Sequence, residues 1–228
     1  MRDVLAAAIL PVKRFEAAKQ RLAETLGAGS RAALAAAMFS DVIGALERAA
    51  SLQTIVVVSG DRQVRDVIAG RDIVLLADVA EKGQSHAARS GLARASALGC
   101  DRAALVPSDC PLLEAADLDR LVATSAGTDV VIVPDRHDTG TNALVVDPSG
   151  PFEPQFGPDS LRRHTEQAER RGLSYRVERP LSLTLDVDTG DDLVALAVAL
   201  ERSHGRAPRT QGVLRQIERT RDSGSVAA

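Results

Sequence analysis

The feature that most constrains the fold is a run of six residues, Thr54–Ser59, in which every position except the last is apolar or β-branched. A strand with one solvated face would alternate polar and apolar residues, so this run is typical of a strand that is covered on both faces. Short runs of similar character recur along the chain. We predict a strand at each of them: Val4–Leu10, Asp72–Leu76, Ala103–Val106, Val130–Val133, Asn142–Asp147 and Leu183–Val187.

Helical patterns occupy the stretches between these runs. Ser30 is the predicted N-cap of a first helix that ends near Ala49, in which buried positions recur every fourth residue, at Leu34, Met38, Val42 and Leu46. Further helices are predicted for Asp61–Ala69, Gln84–Leu98, Ala115–Ala123, Asp159–Arg171 and Asp191–Arg202. Strands that alternate with helices predict an α/β fold, with a mostly parallel sheet flanked by helices.

We find no repeat and no linker before His204 in this chain of 228 residues. We therefore predict a single domain over residues 1–204. The pattern weakens afterwards, and residues 205–228 are predicted to form a C-terminal extension. It is expected to be partly helical, at Arg209–Arg219, and to fray from Asp222 onward.

Composition argues against several classes of function. A net charge of −3 gives no electrostatic reason to bind nucleic acid or an anionic membrane, and 2 % aromatic residues offer few platforms for stacking single-stranded bases. No apolar run reaches the ~18 residues of a membrane span, and Val4–Leu10 leads directly into basic residues, unlike a signal peptide. Cys100 and Cys110 form no close metal-type pair and are expected to be reduced thiols. We therefore expect a cytoplasmic protein.

In open α/β sheets, ligands bind outside the carboxyl ends of the strands, so the segments that follow the strands are candidates for a site. After the first strand, four cations lie within nine residues: Lys13, Arg14, Lys19 and Arg21. Positioned cations would stabilise the charge that develops on a triphosphate as pyrophosphate leaves. A solvated basic turn is the alternative interpretation. The loop lacks the glycine spacing of a Walker motif or a dinucleotide fingerprint, which disfavours both classes.

Two acidic segments also follow predicted strands. Asp109 lies on a stiff loop between Pro107 and Pro111, and Asp186 and Asp188 follow the last apolar run. Magnesium commonly takes one or two protein carboxylates together with substrate phosphates, so Asp109 and Asp188 could supply such a pair. The alternatives are a turn-forming Asp109, and Asp186 and Asp188 that cap the last helix of the domain.

Five motifs follow one another along the chain. They are LPVK…AK.RL at Leu10–Leu22, PSDCPLL at Pro107–Leu113, GTNAL at Gly140–Leu144, FGPDSLRRH at Phe156–His164 and LDVDT at Leu185–Thr189. Together they resemble the 2-phospho-L-lactate and phosphoenolpyruvate guanylyltransferases of coenzyme F-420 biosynthesis, and the resemblance spans about Val4 to Leu200. It implies a Rossmann-like nucleotidyltransferase (GT-A-like) fold, and transfer of GMP from GTP to 2-phospho-L-lactate, phosphoenolpyruvate or 3-phosphoglycerate with release of pyrophosphate.

The resemblance also implies roles for individual residues. Asp109 and Asp188 match the metal-binding aspartates of the family, with magnesium as the expected ion, and Lys13 and Lys19 join them as catalytic residues. The residues that match contacts to the phosphorylated acid are Thr141, Gly157 and Ser160. Those expected to meet the nucleotide are Leu10, Pro11, Lys13, Lys19, Arg21, Gly83, Ser85 and Pro107. The expected partners are GTP and a phosphorylated three-carbon acid, and the product could pass to a downstream transferase.

The chain departs from the family pattern at two places. Gln84-Ser85-His86 stands where relatives carry a GLN-type turn, and Asp138 stands where glycine is usual. Asp138 could alter which acid fits or could point to solvent. His164 lies about one turn after Ser160 and could face the site, but it is expected on the surface of its helix.

Three alternative functions stay open at this point. A nucleotidyltransferase of related fold could act on a molybdenum cofactor or a sugar phosphate. A Ser–His–Asp hydrolase would lack the G-x-S-x-G elbow, and a non-catalytic binding scaffold could share the fold.

Overall fold

The computed structural model describes residues 4–78, 81–203 and 205–225, and side chains as far as residue 220. Seven strands form one sheet in the order β3-β2-β1-β4-β6-β5-β7. The strands are β1 (Ala6–Pro11), β2 (Leu52–Ser59), β3 (Val74–Ala77), β4 (Arg102–Leu105), β5 (Val130–Pro134), β6 (Thr141–Val146) and β7 (Tyr175–Val177). Of these seven, only β6 runs antiparallel to its neighbours β4 and β5. The prediction of a mostly parallel sheet is confirmed.

Eight α-helices flank this sheet within the described residues. They are α1 (Ala28–Leu46), α2 (Arg62–Ile68), α3 (Gln84–Ala97), α4 (Ala115–Thr124), α5 (Ser160–Arg170), α6 (Leu181–Thr184), α7 (Gly190–Arg202) and α8 (Pro208–Ser225). Short 3-10 turns form at Phe15–Ala17, Gln20–Leu22 and Ser125–Gly127. No helix in the described part of the chain is both long and apolar enough to cross a membrane.

Apolar residues cover both faces of the sheet, as the apolar run at Thr54–Ser59 predicts. In β1, Ala8 and Leu10 belong to the core under α1 and α4, whereas Ala7 and Ile9 belong to the core under α3. Successive side chains of a strand point to opposite faces. A strand between two helical layers therefore needs apolar residues at every position.

The observed elements differ from the predicted ones at the Leu183–Val187 strand, at β7, at the start of α1 and at the end of the last helix. No strand forms over Leu183–Val187; the chain makes the short helix α6 after Pro180 and then crosses the end of the sheet irregularly. Leu183 and Val187 are buried as expected of apolar residues, but the Leu183 carbonyl accepts from the side chain of Asn142 at 2.8 Å and not from the backbone N–H of a strand. Burial alone does not distinguish a strand from a buried turn.

Strand β7 was not predicted, since Tyr175–Val177 is short, half-buried and carries an arginine at its centre. It is held at the edge of the sheet by parallel pairing with β5. Helix α1 begins at Ala28 after Gly27, and no side chain caps it, so the predicted Ser30 cap is wrong.

The last helix extends beyond the predicted end at Arg219. It continues through Asp222, where fraying was predicted, to Ser225, and residues 226–228 lie outside the described residues. Its start is fixed on α1, where the Asp41 carboxylate accepts from the backbone N–H of Thr210 at 2.8 Å and from its hydroxyl at 2.7 Å. Val213, Leu214 and Ile217 pack against an apolar cluster shared with α1 and α7.

Helix α3 packs closely on β1 at Gly91, where a Cβ atom would lie 2.2 Å from Ile9 Cγ2. We expect Gly91→Ala to lower the free energy of unfolding by about 1–3 kcal/mol, because the added methyl group overpacks the core. Gly29→Ala is the matched control: Gly29 lies in the first turn of α1 and nothing lies within 4 Å of an added Cβ. The control should leave stability unchanged or raise it. Urea unfolding measures both, and equal stability of the two variants would contradict the close packing.

Candidate active site

A cavity of about 480 Å³ opens at the edge of the sheet where β1, β2, β3 and β4 end. Its volume lies in the range of small-ligand sites. The segment after each of these strands contributes to its wall: Pro11–Arg21 after β1, Gly60 after β2, Asp78 after β3 and Pro107–Asp109 after β4. Asp188, just before α7, closes the other side. The expectation that the site follows the strand ends is met for these segments.

Lys19 joins two acidic loops at this cavity. Its ammonium group donates to Asp188 Oδ1 at 2.9 Å and also to Asp109 Oδ2. The lysine lies between two 3-10 turns with φ of 57°, a left-handed conformation that is uncommon for a residue with a side chain. Its side chain is only 6 % exposed. Burial acts to lower the pKa of Lys19, but the charges of Asp109 and Asp188 outweigh it and hold the pKa above its usual value.

Asp186 supplies a third carboxylate beside this pair, which the sequence analysis had not assigned to the site. Its Oδ1 accepts from the Asn142 side chain at 3.3 Å. Burial, followed by the charges of Asp109 and Asp188, raises the pKa of Asp186 to about 6. Its position two residues before Asp188 was visible in the sequence, but its nearness to Asp109 depends on how the chain crosses the end of the sheet.

The acidic residues are positioned by their own backbone and by the cap of α7. The Val187 N–H donates to the Asp109 carbonyl at 3.2 Å, which ties the two loops together. Thr189 and Asp192 form a reciprocal capping box at the start of α7. The alternative in which Asp186 and Asp188 cap this helix is therefore wrong, and the Asp188 carboxylate is left to face Lys19.

The pair of carboxylates fits a magnesium ion. Lys19 shows that a single cation reaches both Asp109 and Asp188, and magnesium commonly takes one or two carboxylates, its other ligands being water and substrate phosphate. Among the residues that the structure describes, no group of three or more His, Cys, Asp or Glu is arranged to hold a metal by itself. A metal at this site would therefore need oxygen ligands from the substrate.

The other predicted cations border the same cavity. Lys13 and Arg21 are exposed, and no ion pair joins either of them to another described residue. Arg14 pairs with Glu81 across the cavity mouth. Lys13 and Arg21 are thus the cations that could meet an anionic ligand without first leaving a carboxylate.

The residues predicted to meet the nucleotide fall into two groups. Pro11, Gly83 and Pro107 line the cavity with the cations, whereas Leu10 is fully buried in the core and Ser85 does not line the cavity. The segment Gln84-Ser85-His86 departs from the family pattern but still begins a helix after a glycine. Helix α3 begins at Gln84, and Gly83 has a φ of 94°. Within it, Gln84 lines the cavity.

Ser85 has a different role in the structure. Its hydroxyl accepts from the Phe156 N–H at 2.9 Å, so the start of α3 is connected to the FGPDS motif. This contact joins the segment predicted to meet the nucleotide to the one predicted to meet the acid.

The three residues predicted to bind the acid lie together behind the cavity edge. Because β6 runs antiparallel to β4, its first residue, Thr141, lies at the edge where Asp109 follows β4. The Leu161 N–H donates to the Thr139 carbonyl at 3.2 Å, which joins the start of α5 to the GTNAL motif. Gly157 has a φ of 113°, a conformation that favours glycine, and Ser160 is 1 % exposed. None of the three lines the cavity itself.

Two further side chains near this motif were singled out by the sequence, His164 and Asp138. His164 is fully buried, so its predicted place on the helix surface is wrong. Its Nδ1 lies 2.9 Å from the Thr141 hydroxyl, and the Gln155 N–H donates to its Nε2 at 2.8 Å. Asp138, also with a left-handed φ of 53°, accepts from Arg179 at 3.0 Å in an exposed ion pair.

Comparison with known proteins decides the family. The family model described as guanylyl transferase CofC like matches residues 6–224. The chain belongs to the CofC-like guanylyl transferase family. It is 45 % identical to a phosphoenolpyruvate guanylyltransferase of Conexibacter woesei, over 93 % of this chain and 96 % of that protein. It is 36 % identical to a 2-phospho-L-lactate guanylyltransferase of Methanothermobacter thermautotrophicus, over 87 % of each chain.

A solved structure supports the fold of the chain. A putative nucleotide-diphospho-sugar transferase of Desulfovibrio desulfuricans G20 superposes with a TM-score of 0.75 at 20 % identity, over 93 % of this chain and 95 % of that one. The predicted nucleotidyltransferase fold is therefore confirmed, and the family match confirms the predicted enzyme class.

Lys19 and Lys13 provide a matched test of the site, since both border the cavity but only Lys19 is paired with carboxylates. We expect Lys19→Met to lower the free energy of unfolding by ~1–3 kcal/mol, because it leaves Asp109 and Asp188 without their cation. Lys13→Met should change it by less than ~0.5 kcal/mol, as for other exposed side chains. Urea unfolding in the absence of ligands measures the difference. Equal stabilities would contradict the role given to Lys19.

Proposed function

We propose that the protein transfers GMP from GTP to a phosphorylated three-carbon acid, with release of pyrophosphate. The observation that carries the proposal is the Lys19 ammonium held between Asp109 and Asp188 in a cavity that Lys13 and Arg21 also border. Such a site brings cations and carboxylates that could bind a metal together at the carboxyl ends of the strands. A reaction between two highly charged phosphates requires this arrangement.

In the proposed reaction, an oxygen of the acceptor's phosphate attacks the α-phosphorus of GTP. The bond from the α-phosphorus to the bridging oxygen breaks, and pyrophosphate leaves with that oxygen. No side chain has to act as nucleophile, because the acceptor phosphate is already anionic at neutral pH. The protein then contributes positioning and charge stabilisation.

The cations of the first loop would neutralise the triphosphate. Lys13 and Arg21 are exposed at the cavity and can turn to the phosphates without breaking an ion pair with a described residue. Lys19 is already charged and held in place by Asp109 and Asp188. A magnesium ion held by Asp109 and Asp188 would supply further positive charge to the phosphates.

Thr141, Gly157 and Ser160 are proposed to hold the acid. Ser160 is the first residue of α5, and the dipole of a helix favours an anion near its first turn. The Asn142 side chain bonds to Asp186, so the motif that contains Thr141 touches the carboxylate cluster directly. The acid's phosphate would therefore meet the nucleotide at this junction.

The relatives are named for phosphoenolpyruvate, 2-phospho-L-lactate and 3-phospho-D-glycerate, so these three acids are the candidate acceptors. Transfer to a molybdenum cofactor or a sugar phosphate is the competing proposal, since the fold alone is compatible with it. The buried free thiols Cys100 and Cys110 agree with a reducing compartment. We propose that the enzyme acts in the cytoplasm and passes its product to a downstream transferase.

A matrix of four nucleoside triphosphates against the three acids, with and without magnesium, tests the substrates. We expect pyrophosphate release only with GTP, at least one of the acids, and magnesium, with mass spectrometry showing the diphosphate-linked product. Chelation of the metal should abolish turnover, and added magnesium should restore it. Preference for another nucleotide would support the competing proposal, and pyrophosphate release without an acid would show hydrolysis of the nucleotide and contradict the proposed transfer.

Asp109→Asn tests whether the carboxylate pair binds a metal, because the substitution removes a charge and hardly changes the shape of the side chain. We expect it to reduce turnover by roughly 10²–10³-fold, since the amide removes a metal-binding charge, while circular dichroism shows the fold unchanged. Asp66→Asn serves as the control, because Asp66 is exposed on α2 and does not line the cavity. Wild-type turnover by the Asp109 variant would refute the metal assignment.

A further inference from the structure

His164 connects the two segments proposed to hold the acid. The imidazole is fully buried between the rings of Phe152 and Phe156, each with its centroid 5.6 Å away. Its Nε2 lies 2.8 Å from the Gln155 backbone nitrogen, at the start of the loop that contains Gly157. Its Nδ1 lies 2.9 Å from Thr141 Oγ1, at the start of β6.

These two contacts determine where the ring carries its proton. A backbone N–H can only donate, so Nε2 must accept from Gln155 and carry no hydrogen. In a neutral imidazole the hydrogen then lies on Nδ1 and is donated to the Thr141 hydroxyl oxygen. Burial, together with the nearby charge of Arg163, lowers the pKa of His164 to about 4. The ring is therefore neutral at physiological pH.

This arrangement determines whether the Thr141 hydroxyl donates or accepts a hydrogen bond. Its oxygen is occupied by the hydrogen from His164, and its own hydrogen has no acceptor among the described residues. A buried hydroxyl gains by finding an acceptor, and Thr141 is 8 % exposed, so the residue is not fully enclosed by protein.

We propose that His164 is a positioning residue that turns the Thr141 hydroxyl into a hydrogen-bond donor for an anionic oxygen of the acceptor acid. The inference rests on the proposed function, because it takes Thr141 as part of the acid site. The same ring also holds the Gln155 amide, so one side chain sets the distance between the GTNAL and FGPDS segments. The site is thereby selective for a ligand that presents an acceptor atom to Thr141.

A purely structural role for His164, as a filler between two phenylalanine rings, predicts different consequences. Two amide substitutions separate the roles because each retains one half of the ring's bonding. In His164→Asn the amide nitrogen can occupy the place of Nδ1 and donate to Thr141. In His164→Gln the amide oxygen can occupy the place of Nε2 and accept from Gln155, but no donor to Thr141 remains.

The test measures KM for phosphoenolpyruvate at saturating GTP and magnesium, or for whichever of the three acids the wild type uses. We expect His164→Gln to raise this KM by about tenfold, the effect of one hydrogen bond to a charged group, with a much smaller change in kcat. His164→Asn should retain a KM close to that of the wild type even if its melting temperature falls. Thr141→Val should match His164→Gln, and the double variant should be no worse than Thr141→Val alone.

Two outcomes would overturn the proposal. One is a KM that rises in both the Asn and the Gln variant by an amount that follows how much stability each has lost. The other is an additive effect in the double variant, since additivity means that the two residues act independently.

A second measurement tests the hydrogen-bond pattern behind the inference even if the wild type proves inactive with all three acids, a result that would refute the proposed function alone. Nitrogen-15 NMR of the ligand-free protein reports the tautomer of each histidine, and His164 is assigned by the signal that His164→Gln loses. We expect hydrogen on Nδ1 throughout pH 6–8. Hydrogen on Nε2 would overturn the proposal regardless of activity.

Discussion

The contact of one ammonium group with two carboxylates organises this end of the molecule. Lys19 follows β1, Asp109 follows β4 and Asp188 precedes α7, so the contact closes loops of 90 and 169 residues. Asp186 adds a third acidic group nearby. Without a cation among them these carboxylates would repel one another, and with Lys19 they are held together before any ligand binds. The site is thus preorganised around a positive charge.

The single reversed strand determines what this charge cluster can contact. If β6 ran parallel to β4, its first residues would lie at the opposite edge of the sheet. Since it runs antiparallel, Thr141 and Asn142 lie at the same edge of the sheet as Asp109, and Asn142 bonds to both Asp186 and the Leu183 carbonyl. The reversal therefore joins the proposed nucleotide half, built on parallel strands, to a second half that contains the FGPDS loop and α5.

Local capping keeps the acidic residues available for the site. Asp192 satisfies the N–H groups of Asp188 and Thr189 and pairs with Arg136 at 2.6 Å. The start of α7 thus needs nothing from the Asp188 side chain. Side chains also satisfy backbone groups beside the FGPDS motif. There, His164 and Ser85 each accept from a backbone N–H of the segment before Gly157. These neighbours fix the backbone while the exposed groups remain free to meet ligand.

Much of this architecture could be predicted from the sequence because it depends on local pattern. Runs such as Thr54–Ser59 are apolar on both faces, and the parallel sheet follows from their alternation with helices. The rule that ligands bind at strand ends then located Lys19, Asp109 and Asp188, and the family resemblance assigned them roles. The prediction was wrong for Leu183–Val187, where apolar residues are equally compatible with a strand and with a buried crossing.

The sequence by itself determined which residues are apolar enough to be buried, which segments follow strands, and which charges those segments carry. Tertiary structure decided the direction of β6, the burial of His164 and the approach of Asp186 to Asp109. Each of these depends on contacts between segments that lie far apart in the chain. A side chain's periodicity reports only its own element, whereas its hydrogen-bond partners and its solvent exposure are set by what the fold places beside it.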